Sequence, residues 1–297
     1  MTIEHRPGIR RDVECALVFN FLVPSVVALQ IAPAAPTDAS RSEQLMVIRG
    51  DGSEQVPVVE TAGPHRGRVH IIEAPAGPVT LSYRAVTSPS VDSAGSDASI
   101  SGAPMTGQST EPSPYADEVL TALRQSRYCP SDLLVSFAMA ELGAWVGTER
   151  IAAAASSWVF ERIAYVSGSS GPTDTAVDTL LSGRGVCRDF AHLTATLCRA
   201  LGVPARLVSV YAPGLVQMDF HVVVEAWRAG RWHVLDPTRL APRSSLVRIA
   251  TGRDAADTSF AATIRGDVEM VSTEVSAVVD GDLPADDHES VFMLGYG

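Results

Sequence analysis

The chain of 297 residues carries 23 basic and 34 acidic side chains, a formal net charge of −11 with histidines neutral. Every basic residue is an arginine, scattered along the chain, so the basic stripe that binds nucleic acid is missing and an anionic membrane surface is disfavoured for the same reason. With 46% hydrophobic and 19% charged residues the composition is globular, and a chain of this length can bury on the order of 75% of its unfolded surface, in one large domain or two smaller ones.

Cysteines at 15, 129, 187 and 198 are too few and too spread for a disulfide scaffold. A reducing, cytoplasmic location is the expectation that follows. On one helix Cys187 and Cys198 would sit roughly 16 Å apart along the axis, beyond the reach of a disulfide. No apolar run is long enough to predict a transmembrane helix, and the chain reads as soluble. The stretch from Arg10 to Ala35 mimics a secretory leader, but Asp12 and Glu14 interrupt its basic part and Asn20 and Pro24 its apolar part. A strand fits it better.

From Val13 the apolar residues alternate through Cys15, Leu17, Phe19 and Phe21, and Val26 to Ile31 continues the β-rich composition after a break at Pro24. Further strands are predicted over Gln44–Arg49, Val56–Glu60, Arg68–Glu73 and Val79–Val86, separated by signals such as Asp51-Gly52 and Gly77-Pro78. Short strands at short intervals predict a small antiparallel β-domain over residues 1–87. Residues 88–114 are rich in Ser, Gly, Pro and Asp and read as a linker, which leaves 115–297 as a second domain.

In that second part, 3.6-residue apolar spacing predicts helices over Ala116–Arg127, Ser131–Leu142 and Thr148–Ile163, with Ser131-Asp132 and Thr148 as N-caps. A shorter helix is predicted over Thr175–Leu181. Gly183 and Gly185 then break the chain before a strong helix over Val186–Leu201, stopped by Gly202 and Pro204. Strands follow over Ala205–Tyr211, Phe220–Trp227 and Trp232–Asp236, the last two joined by a turn at Arg228–Arg231, and Val268–Val279 is one more candidate strand.

Cys187 falls at a helix N-terminus after a Gly-Arg-Gly break. Unpaired N–H groups and the positive end of the helix dipole favour a thiolate there, although a cysteine taken alone is as readily a buried core residue. His221 and Asp236 change that balance. If Ala229-Gly230 is a two-residue turn, Trp227 faces Trp232 and Val223 faces Asp236, so His221 and Asp236 share one sheet face as a diagonal pair roughly 7 Å apart. A slip of one residue would put them on opposite faces. In this arrangement Cys187 is the nucleophile, His221 takes its proton and later protonates the leaving group, and Asp236 supports the charged imidazole and is expected to hold its Nδ1–H tautomer. The Cys187 backbone N–H is placed to meet the oxyanion of a tetrahedral intermediate.

The segment Gly185-Val-Cys187-Arg-Asp-Phe-Ala-His192-Leu, then Cys198-Arg-Ala-Leu-Gly-Val-Pro-Ala-Arg206, Asp219-Phe-His221 and Trp232-His-Val-Leu-Asp236-Pro-Thr238 closely resembles the transglutaminase-like superfamily in its bacterial form. The resemblance runs from Thr175 to Gly266 and takes in Gly252-Arg-Asp-Ala-Ala-Asp257, while residues 1–87 look like the β-rich region that often precedes this domain. It implies a papain-like α+β fold, with the nucleophile's helix packed on an antiparallel sheet, and catalytic roles for Cys187, His221 and Asp236. Members of the family include protein cross-linkers, peptidases and amide hydrolases, all acting through a cysteine thioester. Hydrolysis of an amide or peptide bond in a protein or peptide substrate is the expectation here. Cross-linking of glutamine side chains, or a non-catalytic scaffold role, are the alternatives. The β-region is expected to be separable and to shape a cleft wall without supplying catalytic groups.

His192 lies roughly 140° around the helix from Cys187 and is expected to pack or bond to backbone, with Asp189 supporting the helix start. No cofactor is expected, because Cys187, His192 and Cys198 lack metal-ligand spacing and Gly183-Arg-Gly185 lacks the length and lysine of a phosphate loop. The run Asp280–Asp287 has the faint look of a calcium loop but reads as a solvated acidic loop.

Overall fold

A computed structural model of the chain describes residues 9–35, 42–50, 52, 54–87 and 117–295. The 88–114 linker expected from composition lies outside them. Alternation from Val13 produces β1 (Arg11–Phe21), in which Val13, Cys15, Leu17, Phe19 and Phe21 are buried on one face. Then come β2 (Ser25–Leu29), β3 (Ser42–Arg49), the unanticipated two-residue β4 (Glu54–Gln55), β5 (Val58–Ala62), β6 (Arg68–Ala74) and β7 (Gly77–Thr87).

The second half contains α1 (Asp117–Thr121), α2 (Val135–Leu142), α3 (Ile151–Arg162), β8 (Ala164–Tyr165), α4 (Ala176–Ser182), β9 (Arg184–Gly185) and α5 (Cys187–Ala200). It continues with β10 (Ala205–Tyr211), β11 (His221–Arg228), β12 (Arg231–Leu235), β13 (Val247–Gly252), α6 (Ala255–Thr258), β14 (Ala261–Arg265) and β15 (Val268–Val279). The first two helices depart from expectation. α1 is a single turn and a half, and Ser131 opens a 3-10 turn, Ser131–Leu133, so that α2 begins only at Val135. Thr148 lies one turn ahead of α3, where its Oγ1 accepts the Arg150 N–H at 3.3 Å.

Strand order separates the β-structure into two assemblies. β15-β1-β7-β3-β4 and β14-β2-β6-β5 form two sheets that share one core, in which Leu17, Phe21, Leu81 and Tyr83 of the first meet Val27, Leu29 and Ile72 of the second. This corrects the expected division of the chain. β15 pairs with β1 along the whole of that strand, from Arg11↔Val279 to Phe21↔Val268, and β14 pairs with β2. Residues 261–279 therefore complete the N-terminal sandwich: β1 and β2 would otherwise each present an open edge, and pairing satisfies their backbone groups. The chain passes from β14 in one sheet to β15 in the other through a turn at Gly266 (φ +92), where a Cβ would fall 2.0 Å from Ser25 Oγ, so only glycine fits.

The other assembly is the antiparallel sheet β12-β11-β10-β13, with α5 lying across β10 and β11. α5 is buried continuously from Asp189 to Arg199 because α3 and α4 cover it on the side away from the sheet. A helix enclosed on all sides gains from apolar residues at nearly every position; Leu193 and Leu197, fully buried, each contribute about 1.5–3 kcal/mol. The architecture is α+β, and its two parts are fused: Tyr211, Phe220, Val247, Ile249 and Ala250 of the second sheet and its connections lie in the core of the sandwich. Among the described residues no helix is long and apolar enough to cross a membrane.

Candidate active site

Local chemistry places Cys187 at the start of α5. Thr175 caps α4, with Asp178 closing the reciprocal bond, and Gly183 ends that helix in the left-handed conformation (φ +65). Arg184-Gly185 then runs parallel to Ala164-Tyr165 as the β8–β9 bridge. Gly185 is required by close approach, since a Cβ there would come within 2.6 Å of Asp189 Cβ. Asp189 supports the helix start, as expected. Its Oδ2 accepts the Val186 N–H at 2.8 Å, and its Oδ1 accepts the Ser170 hydroxyl at 2.8 Å, which ties the Ser169-Ser170-Gly171 loop to the helix start. Arg188 Nη2 donates to the same Ser170 oxygen at 2.6 Å. At the first position of the helix the Cys187 N–H has no intrahelical acceptor.

The four thiols are sharply different. Burial pushes Cys15 and Cys129 up to about 11 and Cys198 up to about 12. All four are free, and Cys187 alone is partly exposed.

His221 is the first residue of β11, and Asp236 follows the last of β12. Ala229 (φ 47) and Gly230 (φ 79) form the two-residue turn, and the register pairs Trp227 with Trp232 and Val224 with Leu235. The diagonal relationship follows: His221 Nε2 lies 3.2 Å from Asp236 Oδ2, with both side chains buried. One expectation is corrected here. Asp236 faces Nε2, not Nδ1, so it favours the Nε2–H tautomer and leaves Nδ1 for the other side of the ring. The Cys187 thiol lies close enough to this imidazole to influence its charge. Burial opposes charge on His221, but Asp236 and Cys187 outweigh it and hold the ring above its ordinary range. Asp236 is held below the usual carboxylate range, burial notwithstanding, by His221 and Thr238.

Three further residues complete the arrangement, and sequence reasoning missed them. Thr238 donates its N–H (2.9 Å) and its hydroxyl (2.7 Å) to Asp236 Oδ1, which leaves Oδ2 to His221. The Asp-Pro-Thr order could have given this away, since Asp and Thr two residues apart readily form such turns. Tyr165, half-exposed on the two-residue β8, leans its ring on Phe190 at 5.8 Å. Asp219, two residues before His221, accepts the Phe220 N–H at 2.7 Å, and burial raises its carboxyl above the usual range.

His192 turns away from this group. It stacks on Tyr128 at 5.1 Å and its Nε2 accepts the Ala255 N–H at 3.1 Å, while burial lowers its imidazole to about 3. Cys198 is enclosed in the helical core. The acidic run is not a free solvated loop, because Asp286 receives the Arg243 N–H at 2.7 Å and its guanidinium at 2.8 Å, and Arg243 is itself buried.

Residues 145–237 match the transglutaminase-like superfamily core. The crystal structure of a candidate cysteine protease from Cytophaga hutchinsonii superposes with a TM-score of 0.81 at 27% identity, covering 98% of this chain and 99% of that one. An uncharacterized protein of Mycobacterium leprae (strain TN) is 34% identical over 113 residues, which are 35% of this chain and 40% of that protein, so the chain matches about two fifths of the curated relative's length. The periplasmic domain of TgpA from Pseudomonas aeruginosa, bound to ethylmercury, aligns over 80% of this chain and 92% of its own at 18% identity, with a TM-score of 0.39. α5 and most of its sheet thus lie inside a segment that matches the transglutaminase-like superfamily core, and the fold as a whole is similar to that of the Cytophaga structure.

Proposed function

We propose that the chain is a thiol-dependent acyl-transfer enzyme that hydrolyses amide or peptide bonds through a thioester on Cys187. The observation that carries this reading is the buried His221, set between the Asp236 carboxylate at 3.2 Å and the only partly exposed thiol of the chain. Cys187 Sγ attacks the acyl carbon while its proton passes to His221 Nδ1, and the carbonyl π pair moves to oxygen, where the Cys187 N–H receives it. The tetrahedral species collapses, the C–N bond breaks, and His221 gives its proton to the departing nitrogen. Water then attacks the thioester with His221 as base, releasing the carboxylic acid and restoring the thiol. Asp236 holds the ring in the Nε2–H form and offsets its charge.

Likeness over nearly the full chain to a candidate cysteine protease favours water as the acceptor. Attack by an amine would give cross-linking from the same thioester. A peptide library incubated with and without a primary amine, with products read by mass spectrometry, distinguishes them: hydrolysed peptides are expected in both samples, and amine adducts in the second would establish transamidation. Absence of either product, together with a Cys187 that resists iodoacetamide, would leave a non-catalytic module.

A further inference from the structure

We propose that the N-terminal sandwich carries a second binding site, a cavity between β3 and β5 that takes a primary ammonium group on an aliphatic stem, with the Glu60 carboxylate receiving the ammonium. None of the residues concerned belongs to the Cys187 group, so this site stands whether or not acyl transfer occurs there.

β3 neighbours β7 in one sheet and β5 neighbours β6 in the other. Between them lies a cavity of about 520 Å³, in the size range of small-molecule sites. Part of its lining is aliphatic: Val47 and Val56 are buried, and Leu45 and Val58 partly so. The rest is polar. Arg68 and His70, two residues apart and buried on one face of β6, meet Glu43 and Tyr83 of the facing sheet and Glu60 of β5.

The protons of this polar wall are nearly all spent. Arg68 gives four of its five N–H groups to carboxylates, to Glu60 at 2.6 and 2.8 Å and to Glu43 at 2.8 and 2.9 Å. Tyr83 donates its hydroxyl to Glu43 at 2.7 Å. His70 pairs with Glu60 across the ladder, and its Nε2 lies 3.2 Å from Glu60 Oε2. An ionised carboxylate only accepts, so Nε2 carries the proton; Nδ1 is left a bare acceptor, buried and without a partner among the described residues. Arg68 holds Glu60 below the usual carboxylate range and burial lowers His70, which keeps the carboxylate charged and the imidazole neutral at neutral pH. What the wall still offers is lone pairs, above all those of Glu60, whose side chain is 45% exposed while Arg68 and His70 lie behind it at 10% and 4%. A complementary ligand brings donors and positive charge at one end, for Glu60, and an apolar stem for the valine-lined part; an anion would meet a wall of acceptors. Stability alone does not call for this arrangement, because close-packed apolar side chains commonly match a buried ion pair, whereas here the charged cluster stands beside a cavity.

Isothermal titration of the full chain with hexylammonium chloride, 1-hexanol and sodium hexanoate tests this, since the three share a stem and differ in the head. Hexylammonium should bind at least about 10-fold more tightly than the alcohol, with hexanoate weaker than both. In Glu60→Gln the affinity for hexylammonium should fall about 10- to 100-fold, the size of one hydrogen bond to a charged group, while that for hexanol changes less than about threefold. Val58→Phe, which fills part of the space for the stem, should weaken both. Nα-acetyl-lysine methylamide separates the sources of the ammonium: affinity equal to that of hexylammonium points to a lysine side chain of a peptide and much weaker binding to a free amine, and either result upholds the site. Equal affinity for the three head groups, hexylammonium binding unchanged by Glu60→Gln, or no saturable binding of hexylammonium overturns the proposal. Should Glu60→Gln fail to fold, the head-group series on wild type and Val58→Phe, a change at a partly exposed residue of an edge strand, decide it.

Discussion

Asp236 Oδ2 lies 3.2 Å from His221 Nε2 although the two residues are not opposite each other in the hairpin; Leu235 pairs with Val224, and the contact is made diagonally across one sheet face. A carboxylate in that position orients the ring and stabilises its charged form. Asp236→Asn removes the charge and presents an amide that can donate to Nε2, favouring the wrong tautomer. Turnover should fall on the order of 10²- to 10³-fold, with His221→Ala at least as damaging and Cys187→Ala inactive, while all three fold as judged by circular dichroism. Unchanged turnover in Asp236→Asn would remove Asp236 from the mechanism.

Thr238 acts one step further out. Its hydroxyl and N–H occupy Asp236 Oδ1, so the carboxylate cannot rotate away from His221. Thr238→Val keeps the shape and the N–H but loses the hydroxyl bond, a loss worth about 1 kcal/mol or somewhat more beside a charged acceptor. At that size kcat should drop roughly fivefold with KM little changed, and the acid limb of the pH profile should move upward because Asp236 loses one of the bonds that lower it. Thr238→Ser should restore both. A valine variant with the wild-type profile would mean that Asp236 is held by its other bonds alone.

The parts of the site that are legible in the sequence are those governed by short-range rules. Gly183 and Gly185 mark the start of α5, and the parity of a two-residue turn is enough to put His221 and Asp236 on one face. Ring orientation is not coded by parity, which is why the expected Nδ1 contact gives way to Nε2. Tyr165 carries no signal because a two-residue strand has no period to detect. β14 and β15 are harder still: Val268–Val279 has the composition of a strand, but nothing local says that its partner is β1, some 250 residues earlier in the chain.

His192 makes stability depend on acid in a defined direction. Its imidazole is lowered from 6.5 to about 3 by burial, so between those values the unfolded chain takes up a proton that the folded one refuses. Stability from this residue is therefore fully present above pH 6.5 and lost as the pH falls towards 3, on the order of 5 kcal/mol in all, at about 1.4 kcal/mol per unit. Melting temperatures of wild type and His192→Phe, measured from about pH 7.5 to 4 across that window, should converge on acidification. The phenylalanine variant starts lower because the Ala255 N–H loses its acceptor, but it has no proton to bind. Parallel curves would show that His192 is not the titrating group.

The interleaving of β14 and β15 with the N-terminal strands reverses the expectation that the β-region can be removed. Cutting away residues 1–100 would strip β15 of β1 and β14 of β2, leaving two edges to solvent and exposing Tyr211, Phe220, Val247 and Ile249, whose cover comes from Leu29, Ile31 and their neighbours. Tyr211 would also lose the Ile31 carbonyl that its hydroxyl bonds at 2.7 Å deep in the core. Exposed strand edges with an apolar face favour aggregation. The 101–297 fragment should therefore be insoluble or molten, whereas residues 1–100 supplied in trans as a separate chain should recover soluble material, because the missing strands can pair again. Size-exclusion chromatography and the near-ultraviolet circular dichroism of the fragment, alone and co-expressed, check this. A monomeric 101–297 fragment with native-like tertiary signals and normal Cys187 alkylation would mean that α5 and its sheet fold independently of the sandwich.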